Sequence, residues 1–349
     1  MYEVRLKRLR ELLSENNLGA LFVSNPANRR YLSGFTAEDH QVGESAGYLL
    51  ISQDRAVLLT DPRYAERAKK ETNWQINIYK KDFFKETVSL FEEFPKPIGF
   101  EAQHLTYRFY QKISEFIEVI PTKNIVETLR KIKDKEEIET IKVALSIAKK
   151  LFLELERFLR AGKTEKEIAW WIEEKIRKEY RAELAFPPIV ASGANAAIPH
   201  ATPSEKPIRE KEPIIIDLGA RWNGYCSDMT RTFYLGEKDE TFKKIYNLVA
   251  KAQSLVFSKI CAGMMTNKAD TIAREFFKRQ NYKDEFLHSL GHGVGILVHE
   301  PPSLSLREPF EKLQENMIVT VEPGLYLEGW GGVRLEDMVL IKKDKAIVL

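Results

Sequence analysis

The sequence has few features that would tie it to a membrane, a disulfide framework or nucleic acid. It contains only two cysteines, Cys226 and Cys261, a number that predicts neither a disulfide-rich scaffold nor a paired-cysteine zinc site. Its apolar runs are all shorter than the ~18–20 residues that span a bilayer. The 54 basic residues nearly balance the 51 acidic ones, so the net charge is only +3. A chain without a large basic excess has no general attraction for nucleic acid or anionic lipid.

The beginning of the chain does not resemble a secretory signal. Residues 1–7 mix charged and apolar side chains in the manner of an amphipathic helix, without the apolar core that a signal peptide needs. The low cysteine content is typical of proteins in a reducing compartment. These features predict a cytoplasmic protein with no nucleic-acid or membrane partner.

The 349 residues are enough for two domains of ordinary size. Up to about residue 120, strand-like segments alternate with helix-like ones, which predicts an α/β domain. Residues 19–24 are predicted as a buried strand and residues 48–59 as a hairpin. A break after residue 123 separates a first domain, residues 1–123, from a second, residues 124–349. In the second domain the capping-box sequence at 164–167 starts one of several predicted helices.

An Asn-Gly pair at positions 223–224 separates two segments that each carry an aspartate. Between apolar runs, this dipeptide is the strongest short-range signal of a two-residue hairpin turn. Such a turn places Gly219 opposite Asp228. Asp217 is then the diagonal neighbour of Asp228 on the same face, close enough for the two side chains to share one site.

The two aspartates allow two interpretations. A carboxylate in an apolar strand is strongly disfavoured unless a cation neutralises it, so Asp217 and Asp228 together predict a metal site. The alternative is an ordinary surface pairing of Asp228 with Arg221 or Arg231. The pair alone does not decide between these two interpretations.

A second pair of carboxylates occurs nearer the end of the chain. Glu322 follows an apolar segment rich in β-branched residues, and a glycine-rich turn then leads into residues 333–341. Alternation with a period of two puts Arg334 and Glu336 on one face of this segment and the apolar residues on the other. The apolar continuation of the segment favours a buried strand.

Four of the six histidines lie in the same part of the chain as these carboxylates: His200, His288, His292 and His299. A lone histidine is more often a surface or core residue than a ligand. The glycines on both sides of His292, however, disfavour a helix and let the backbone approach an ion or substrate closely. Four carboxylates and one imidazole make an oxygen-rich set that suits Mn²⁺, Co²⁺ or Fe²⁺ better than a structural zinc.

These residues occur in five short motifs. In chain order the motifs are Ile216-Asp217-Leu218-Gly219, Ser227-Asp228-Met229-Thr230-Arg231-Thr232, Gly291-His292-Gly293, Glu322-Pro323-Gly324 and Arg334-Leu335-Glu336-Asp337. Their order and spacing resemble the pita-bread metallopeptidases, which include methionine aminopeptidase, aminopeptidase P, prolidase and the metal-free creatinase branch. The resemblance covers essentially the whole chain. Because all five ligand positions are filled, the sequence does not resemble creatinase or a metal-free member of the fold.

The N-terminal part narrows the resemblance. Residues 25–35 and 59–64 look like the extra domain shared by aminopeptidase P, prolidase and creatinase, which methionine aminopeptidase lacks, and residues 199–204 resemble the proline-specific branch. The implied fold is a two-domain α/β protein. A creatinase-like α/β domain (1–123) precedes a pita-bread α+β catalytic domain (124–349).

The resemblance also implies the ligands of two divalent ions, with Mn²⁺ as the first choice and Co²⁺, Fe²⁺ or Zn²⁺ as alternatives. Asp217 and Asp228 would hold one ion, His292 and Glu322 the other, and Asp228 and Glu336 would bridge them. A hydroxide shared by the ions would attack the scissile carbonyl, with Glu322 as the proton shuttle.

The resemblance further implies roles for the remaining polar residues. His299 would hydrogen-bond the tetrahedral intermediate, and His200, which the resemblance counts among both the catalytic and the substrate-binding residues, would line the substrate pocket with His288. Arg334 would support the nearby carboxylates or His200. The free α-amine of the substrate would lie at the first metal and Asp217, which confines cleavage to the N-terminal residue.

The implied reaction is hydrolysis of an Xaa-Pro bond in a peptide with proline at position two. Prolidases, which act on dipeptides, often bind the prolyl carboxylate with an arginine shortly after the position of His299; here Ser303 stands where that arginine is expected. A missing cation removes a charge-assisted contact worth ~1.5–3 kcal/mol, so the sequence favours an Xaa-Pro aminopeptidase over an Xaa-Pro dipeptidase. Arg307 or a partner subunit could supply the cation instead.

Two further expectations come from the family. A homodimer is expected from the resemblance alone. A non-catalytic binding protein of the same fold is a remote alternative, which the complete set of five ligands disfavours.

Overall fold

The computed structural model describes residues 1–39, 41 and 43–349. The chain divides into two units, Met1–Arg130 and Lys131–Leu349. The helix Ile125–Arg130, which the sequence prediction assigned to the second domain, lies in the first unit. It lies there because its end is tied to that unit: Arg130 donates a hydrogen bond of 2.8 Å to the side chain of Asn28.

The first unit is a mixed α/β layer. Its helices are α1 (Tyr2–Glu15), α2 (Pro26–Ser33), α3 (Ala65–Glu71), α4 (Phe83–Glu92), α5 (Tyr107–Ser114) and α6 (Ile125–Arg130), and its strands are β1 (Ala20–Val23), β2 (Tyr48–Ser52), β3 (Ala56–Thr60), β4 (Gln75–Ile78), β5 (Ile98–Glu101) and β6 (Val119–Thr122). The strands form one sheet in the order β4-β3-β2-β1-β5-β6. The predicted buried strand and the predicted hairpin are confirmed as β1 and the antiparallel pair β2–β3.

The second unit combines helices with antiparallel strands. Its helices are α7 (Lys135–Phe158), α8 (Glu165–Glu174), α9 (Glu240–Phe257) and α10 (Thr266–Arg279), with a π-helical turn at Lys175–Glu179 and a 3-10 turn at Gly193–Ala197. Its strands are β7 (Glu183–Leu184), β8 (Ile189–Ser192), β9 (Pro213–Leu218), β10 (Ala220–Trp222), β11 (Tyr225–Cys226), β12 (Met229–Tyr234), β13 (Gly291–Gly293), β14 (Glu300–Leu304), β15 (Ile318–Val321), β16 (Gly324–Leu327), β17 (Gly331–Arg334), β18 (Asp337–Ile341) and β19 (Ala346–Val348).

These strands form four sheets, in the orders β11-β10-β7, β12-β9-β8, β14-β13-β15-β18-β19 and β16-β17. The capping box predicted at the start of α8 is confirmed, because Thr164 accepts from the backbone of Glu167 while the Glu167 carboxylate accepts from that of Thr164. One apolar core joins α7 and α8 to β9, and another joins α9 and α10 to β15 and β18. In the part of the chain that the structure describes, no helix is both long and apolar enough to cross a membrane.

The predicted Asn-Gly turn is confirmed, and it sets the register of the neighbouring strands. Asn223 and Gly224 adopt left-handed φ values of 45° and 78°, as such a turn requires. The same register continues into β9 and β12, where Asp217 pairs with Thr230. Asp228 lies two residues before Thr230 and is therefore the diagonal neighbour of Asp217, as predicted from the sequence.

The second carboxylate-bearing segment differs from its prediction in one respect. Residues 333–341 were predicted as one strand but form the end of β17 and all of β18, separated by Leu335 and Glu336. The predicted faces are confirmed, because Arg334 and Glu336 share a hydrogen-bonding partner, the Thr230 hydroxyl, while Leu335 packs in the apolar core. The strand breaks at Glu336 because its amide donates to the Thr230 carbonyl instead of continuing the β15–β18 ladder.

A buried ion pair between Lys133 and Glu300 yields a prediction for stability. The two side chains are 1% and 3% exposed and their charged atoms lie 2.9 Å apart. Lys133→Met removes one partner of this buried ion pair, so we expect a loss of about 3–5 kcal/mol in the free energy of unfolding, measured by urea denaturation. The control is Lys142→Met, which removes an exposed pair with Glu139 and should cost no more than about 1 kcal/mol. Equal losses in the two variants would contradict the prediction.

Candidate metal centre

The five residues predicted as metal ligands all lie at or next to strand ends of the second unit. Asp217 lies near the end of β9 and Asp228 just before β12; His292 lies in β13, Glu322 just after β15 and Glu336 just before β18. Asp217, Asp228 and Glu336 are buried, and His292 and Glu322 are half-buried. Five segments that are distant in sequence thus deliver their polar side chains to one place.

The imidazole of His292 lies between two of the carboxylates. Its Nε2 atom is 3.3 Å from Oε1 of Glu322 and 3.6 Å from Oδ2 of Asp228. Ligand atoms of Asp228, His292 and Glu336 all lie within 4.8 Å of one another. One cation could therefore contact a nitrogen and two carboxylate oxygens with little movement of the side chains.

The hydrogen bonding of His292 leaves Nε2, the nitrogen that faces the carboxylates, available to a cation. Its Nδ1 atom lies 3.1 Å from the carbonyl oxygen of Gly293, and a carbonyl can only accept, so Nδ1 carries the hydrogen. In the neutral ring the lone pair is then on Nε2, which faces the carboxylates. A backbone partner on the far nitrogen is the usual support for a metal-binding histidine.

A glycine makes this close approach possible. A side chain at Gly291 would collide with the backbone carbonyl of Thr320. The hydroxyl of Thr320 accepts from the amide of His292 at 3.1 Å and lies 3.3 Å from Glu322. The glycine before His292 thus lets β13 and β15 come close enough to place His292 beside Glu322.

Asp217 and Glu336 are linked through Arg334 and Thr230. Arg334 donates to Oδ2 of Asp217 at 2.8 Å and to the hydroxyl of Thr230 at 3.2 Å, and Thr230 donates to Oε2 of Glu336 at 2.6 Å. The second oxygens, Oδ1 of Asp217 and Oε1 of Glu336, are buried without a hydrogen-bond partner. Buried polar atoms of this kind need a partner, and a cation would supply it.

The pKa shifts show that burying these carboxylates close together disfavours their charged forms. Burial raises the pKa of Asp217, and burial together with neighbouring negative charge raises the pKa values of Asp228 and Glu336 well above their usual range. Burial also acts to raise the pKa of Glu322, but the hydrogen bond and positive charge of His292 outweigh it and hold that pKa low. The pKa of His292 is raised in turn, because Glu322 outweighs its burial. The residues present therefore fit a cationic group.

The three other histidines lie around this cluster. The ring of His299 lies 4.0 Å from that of His292, centroid to centroid, and desolvation together with His292 lowers the pKa of His299 to about 4. His288 lies 3.9 Å from Glu322, and burial lowers its pKa. His200 is exposed and follows Pro199, whose carbonyl accepts from Arg334 at 3.1 Å.

Tyr326 lies beside the cluster although no sequence pattern predicts it. Its hydroxyl lies 2.8 Å from Nη1 of Arg334 and 2.8 Å from Nε2 of His288. Arg334 can only donate, so the hydroxyl accepts from it and donates to His288. The other nitrogen of His288 donates to the carbonyl of Ser289. A tyrosine in an apolar strand carries no sequence signal of this role, because the contact depends on the turn between β16 and β17.

Two buried carboxylates hold the segments that carry His200 and His288. Glu165 accepts from the backbone and side chains of both Ser192 and Ser204, which brackets the segment of His200. On α10, Asp270 accepts from the backbone of Leu290, while Arg274 donates to the carbonyl of His288. From the sequence alone, Glu165 was predicted only as part of a helix cap.

The alternative in which Asp228 pairs with Arg231 at the surface is wrong. That arginine pairs with Asp337 at 2.5 Å, whereas Asp228 is only 4% exposed and lies beside His292. Arg221 lies 4.0 Å from Glu183. Arg334, expected to support the carboxylates or His200, contacts Asp217 directly and His200 only through the preceding carbonyl.

Comparison with known proteins shows the family to which the chain is related. Residues 139–343 match the model of metallopeptidase family M24, and residues 5–132 match the creatinase/prolidase N-terminal domain. The chain is 36% identical to the Xaa-Pro dipeptidase of Pyrococcus furiosus over 98% of this chain and 96% of that protein.

Solved structures show the same relationship. An Xaa-Pro dipeptidase from Bacillus anthracis superposes with a TM-score of 0.93 at 37% identity, covering 100% of this chain and 97% of the other. An X-Pro aminopeptidase from Thermotoga maritima gives a TM-score of 0.88 at 37% identity, covering 98% and 96%. The expected two-domain fold is confirmed. The chain therefore belongs to metallopeptidase family M24, in the branch that carries the creatinase/prolidase N-terminal domain.

Proposed function

We propose that Asp217, Asp228, His292, Glu322 and Glu336 hold two divalent ions, with Mn²⁺ as the first choice. Asp217 and Asp228 would hold the first ion and His292 and Glu322 the second, with Asp228 and Glu336 contributing to both. When bound, such ions activate a water molecule and stabilise negative charge on a carbonyl oxygen. The unpartnered oxygens of Asp217 and Glu336 are the observation that supports this arrangement.

Within this centre, Glu322 is the group that moves a proton. A carboxylate that holds a divalent ion is ionised, so Glu322 can accept a proton from the attacking water and deliver it to the prolyl nitrogen as the C–N bond breaks. His299, whose pKa is about 4, is neutral at pH 7. It therefore keeps a ring N–H with which to donate to the oxygen of the former carbonyl.

The substrate's N-terminal end lies on the Asp217 side of the centre. Only the neutral α-amine has a lone pair to offer a cation, so this form would lie beside the first ion and Asp217, whose Oδ1 has no hydrogen-bond partner. His200 and His288 line the pocket for the substrate. Because both ring nitrogens of His288 have partners, this residue contributes shape more than hydrogen bonds.

Metal binding should show in thermal stability. Mn²⁺ binds the folded protein only, so at a hundred times its Kd it should add about 2.7 kcal/mol to the free energy of unfolding and raise the unfolding midpoint.

Glu336→Gln removes one of the mutually repelling carboxylates. We expect the metal-free variant to unfold at or above the wild-type temperature and to respond little to Mn²⁺, as measured by differential scanning calorimetry. Glu328→Gln, at an exposed position, is the control; an undiminished Mn²⁺ response in Glu336→Gln would contradict the ligand assignment.

Glu322→Gln tests the proton-transfer role. The amide has nearly the same shape but cannot accept and release the proton, so kcat should fall by at least about 10²-fold. The variant should keep the wild-type far-UV circular dichroism spectrum, which separates loss of chemistry from loss of fold. A folded, metal-loaded variant with wild-type kcat would exclude Glu322 as the proton shuttle.

We further propose that the enzyme is an Xaa-Pro aminopeptidase that accepts peptides longer than two residues. The observation that carries this is Ser303, which pairs with His292 across β13 and β14. Cross-strand partners share a face of the sheet with Cβ atoms about 5 Å apart, so residue 303 lies on the same face as His292. An uncharged serine there supplies no cation for the carboxylate that directly follows proline in a dipeptide.

An Xaa-Pro dipeptidase is the second candidate. The chain is similar both to the dipeptidases of Pyrococcus furiosus and Bacillus anthracis and to the X-Pro aminopeptidase of Thermotoga maritima, so similarity leaves this candidate open. Arg307, in the exposed segment after β14, is a cation that could approach the substrate in place of residue 303. A residue of a second copy in the homodimer expected for this family could do the same.

The two candidates differ in their response to a substrate carboxylate. We expect kcat/KM to be higher for an Xaa-Pro-Xaa tripeptide than for the matching Xaa-Pro dipeptide, with both activities lost in chelator and restored by Mn²⁺. Ser303→Arg should raise kcat/KM for the dipeptide roughly ten- to hundredfold, because it adds a charge-assisted contact. The variant Arg307→Met tests whether Arg307 supplies the cation instead. Cleavage of the dipeptide alone, abolished by Arg307→Met, would establish a dipeptidase instead.

A further inference from the structure

The strand pairing that carries Glu322 and Glu336 is interrupted at those two residues. β15 and β18 pair as far as Val321 opposite Asp337, and pairing between the same two chain segments resumes only in β16 and β17. The two residues proposed as ligands stand on opposite sides of the resulting gap. Such a gap lets their side chains turn towards the same centre, but it removes the ladder that would otherwise fix their separation.

The backbone amides of Glu322 and Glu336 donate to two different segments. The amide of Glu322 donates to the carbonyl of Leu290 at 2.9 Å, and the amide of Glu336 donates to the carbonyl of Thr230 at 3.1 Å. Each proposed ligand is therefore tied to a different neighbouring segment. Neither of these bonds holds one ligand-bearing segment to the other.

Gln253 of α9 spans the gap. Its side-chain nitrogen lies 3.1 Å from the carbonyl oxygen of Val321 and 3.1 Å from that of Leu335, the residues that directly precede Glu322 and Glu336. The side chain is nearly buried, at 8% exposure. A primary amide has two N–H groups and can satisfy both carbonyls at once. The backbone bond across the gap, from Leu335 to Pro323, is longer at 3.4 Å.

A charged pair completes the arrangement around Gln253. Its nitrogen also lies 3.2 Å from Oδ2 of Asp337, whose other oxygen accepts from Arg231. Arg231 in turn donates to the carbonyl oxygens of Glu336 and Thr230, at 2.6 and 2.9 Å. The backbone of Glu336 is thus held on the β12 side by Arg231 and on the β15 side through Gln253.

We propose that Gln253 is a positioning residue of the metal centre. By bridging the carbonyls of Val321 and Leu335, it fixes the distance between the backbones that carry Glu322 and Glu336. Metal sites need their ligands held to within about 0.5 Å of the required geometry, and buried carbonyls without donors are strongly disfavoured. This inference rests on the proposed function, because it assumes that Glu322 and Glu336 bind metal.

The test is the affinity of the metal-depleted full-length protein for Mn²⁺, measured by isothermal titration calorimetry. Gln253→Met keeps the length of the side chain but has no N–H donor. We expect its Mn²⁺ affinity to fall about 10- to 100-fold, the range found when a residue that supports a metal ligand is changed. The matched control is Val249→Ala on the same helix, which weakens the same apolar core without removing a donor. It should lower the unfolding temperature and leave the Mn²⁺ affinity at the wild-type value.

The outcomes separate this inference from the proposed function. A wild-type protein that binds no Mn²⁺ would contradict the metal centre itself. Tight binding by wild type with equal affinity in Gln253→Met would overturn the role of Gln253 alone, as would an equal loss of affinity in Val249→Ala. If Gln253→Met does not fold, Gln253→His carries the test. It keeps one donor but cannot bridge two carbonyls, so wild-type affinity in that variant would also overturn the proposal.

Discussion

The mutual repulsion of buried carboxylates is the constraint on which the second unit depends. Asp217, Asp228 and Glu336 are withdrawn from water and have raised pKa values for that reason, and Glu322 stays ionised only beside His292. Folding gains nothing from such a cluster by itself. Bound cations would neutralise these carboxylates. The packing of two large apolar cores around the strands that carry them offsets the loss of stability.

The parts of this arrangement that depend on local sequence could be predicted. The turn at 223–224 fixed the register that relates Asp217 to Asp228, and the period-two pattern placed Arg334 and Glu336 on one face. The resemblance to the pita-bread family predicted the two-domain fold, which is confirmed, although the first unit extends to Arg130. It also predicted five ligand residues, which the structure brings together. The assignment of individual metal ions and catalytic roles stays a prediction.

The parts that depend on distant contacts could not be predicted. Tyr326, Glu165 and Gln253 each act through partners far along the chain, and no spacing or period in the sequence connects them. The break between β17 and β18 was missed because residues 333–341 have the pattern of one continuous strand, and the break is caused by bonds to β12 and α9. β4, whose four residues are exposed or half-buried, lacks the continuous apolar run that made β1 recognisable.

The central claim is that five side chains from five strand ends hold two divalent ions. The most direct test is the anomalous diffraction of crystals grown with Mn²⁺, recorded on both sides of the manganese absorption edge. The account predicts two anomalous peaks, one beside Asp217 and Asp228 and one beside His292 and Glu322, with Glu336 between them. A map with no peak among these residues, or with a single peak held by Asp228, His292 and Glu336 alone, would contradict it.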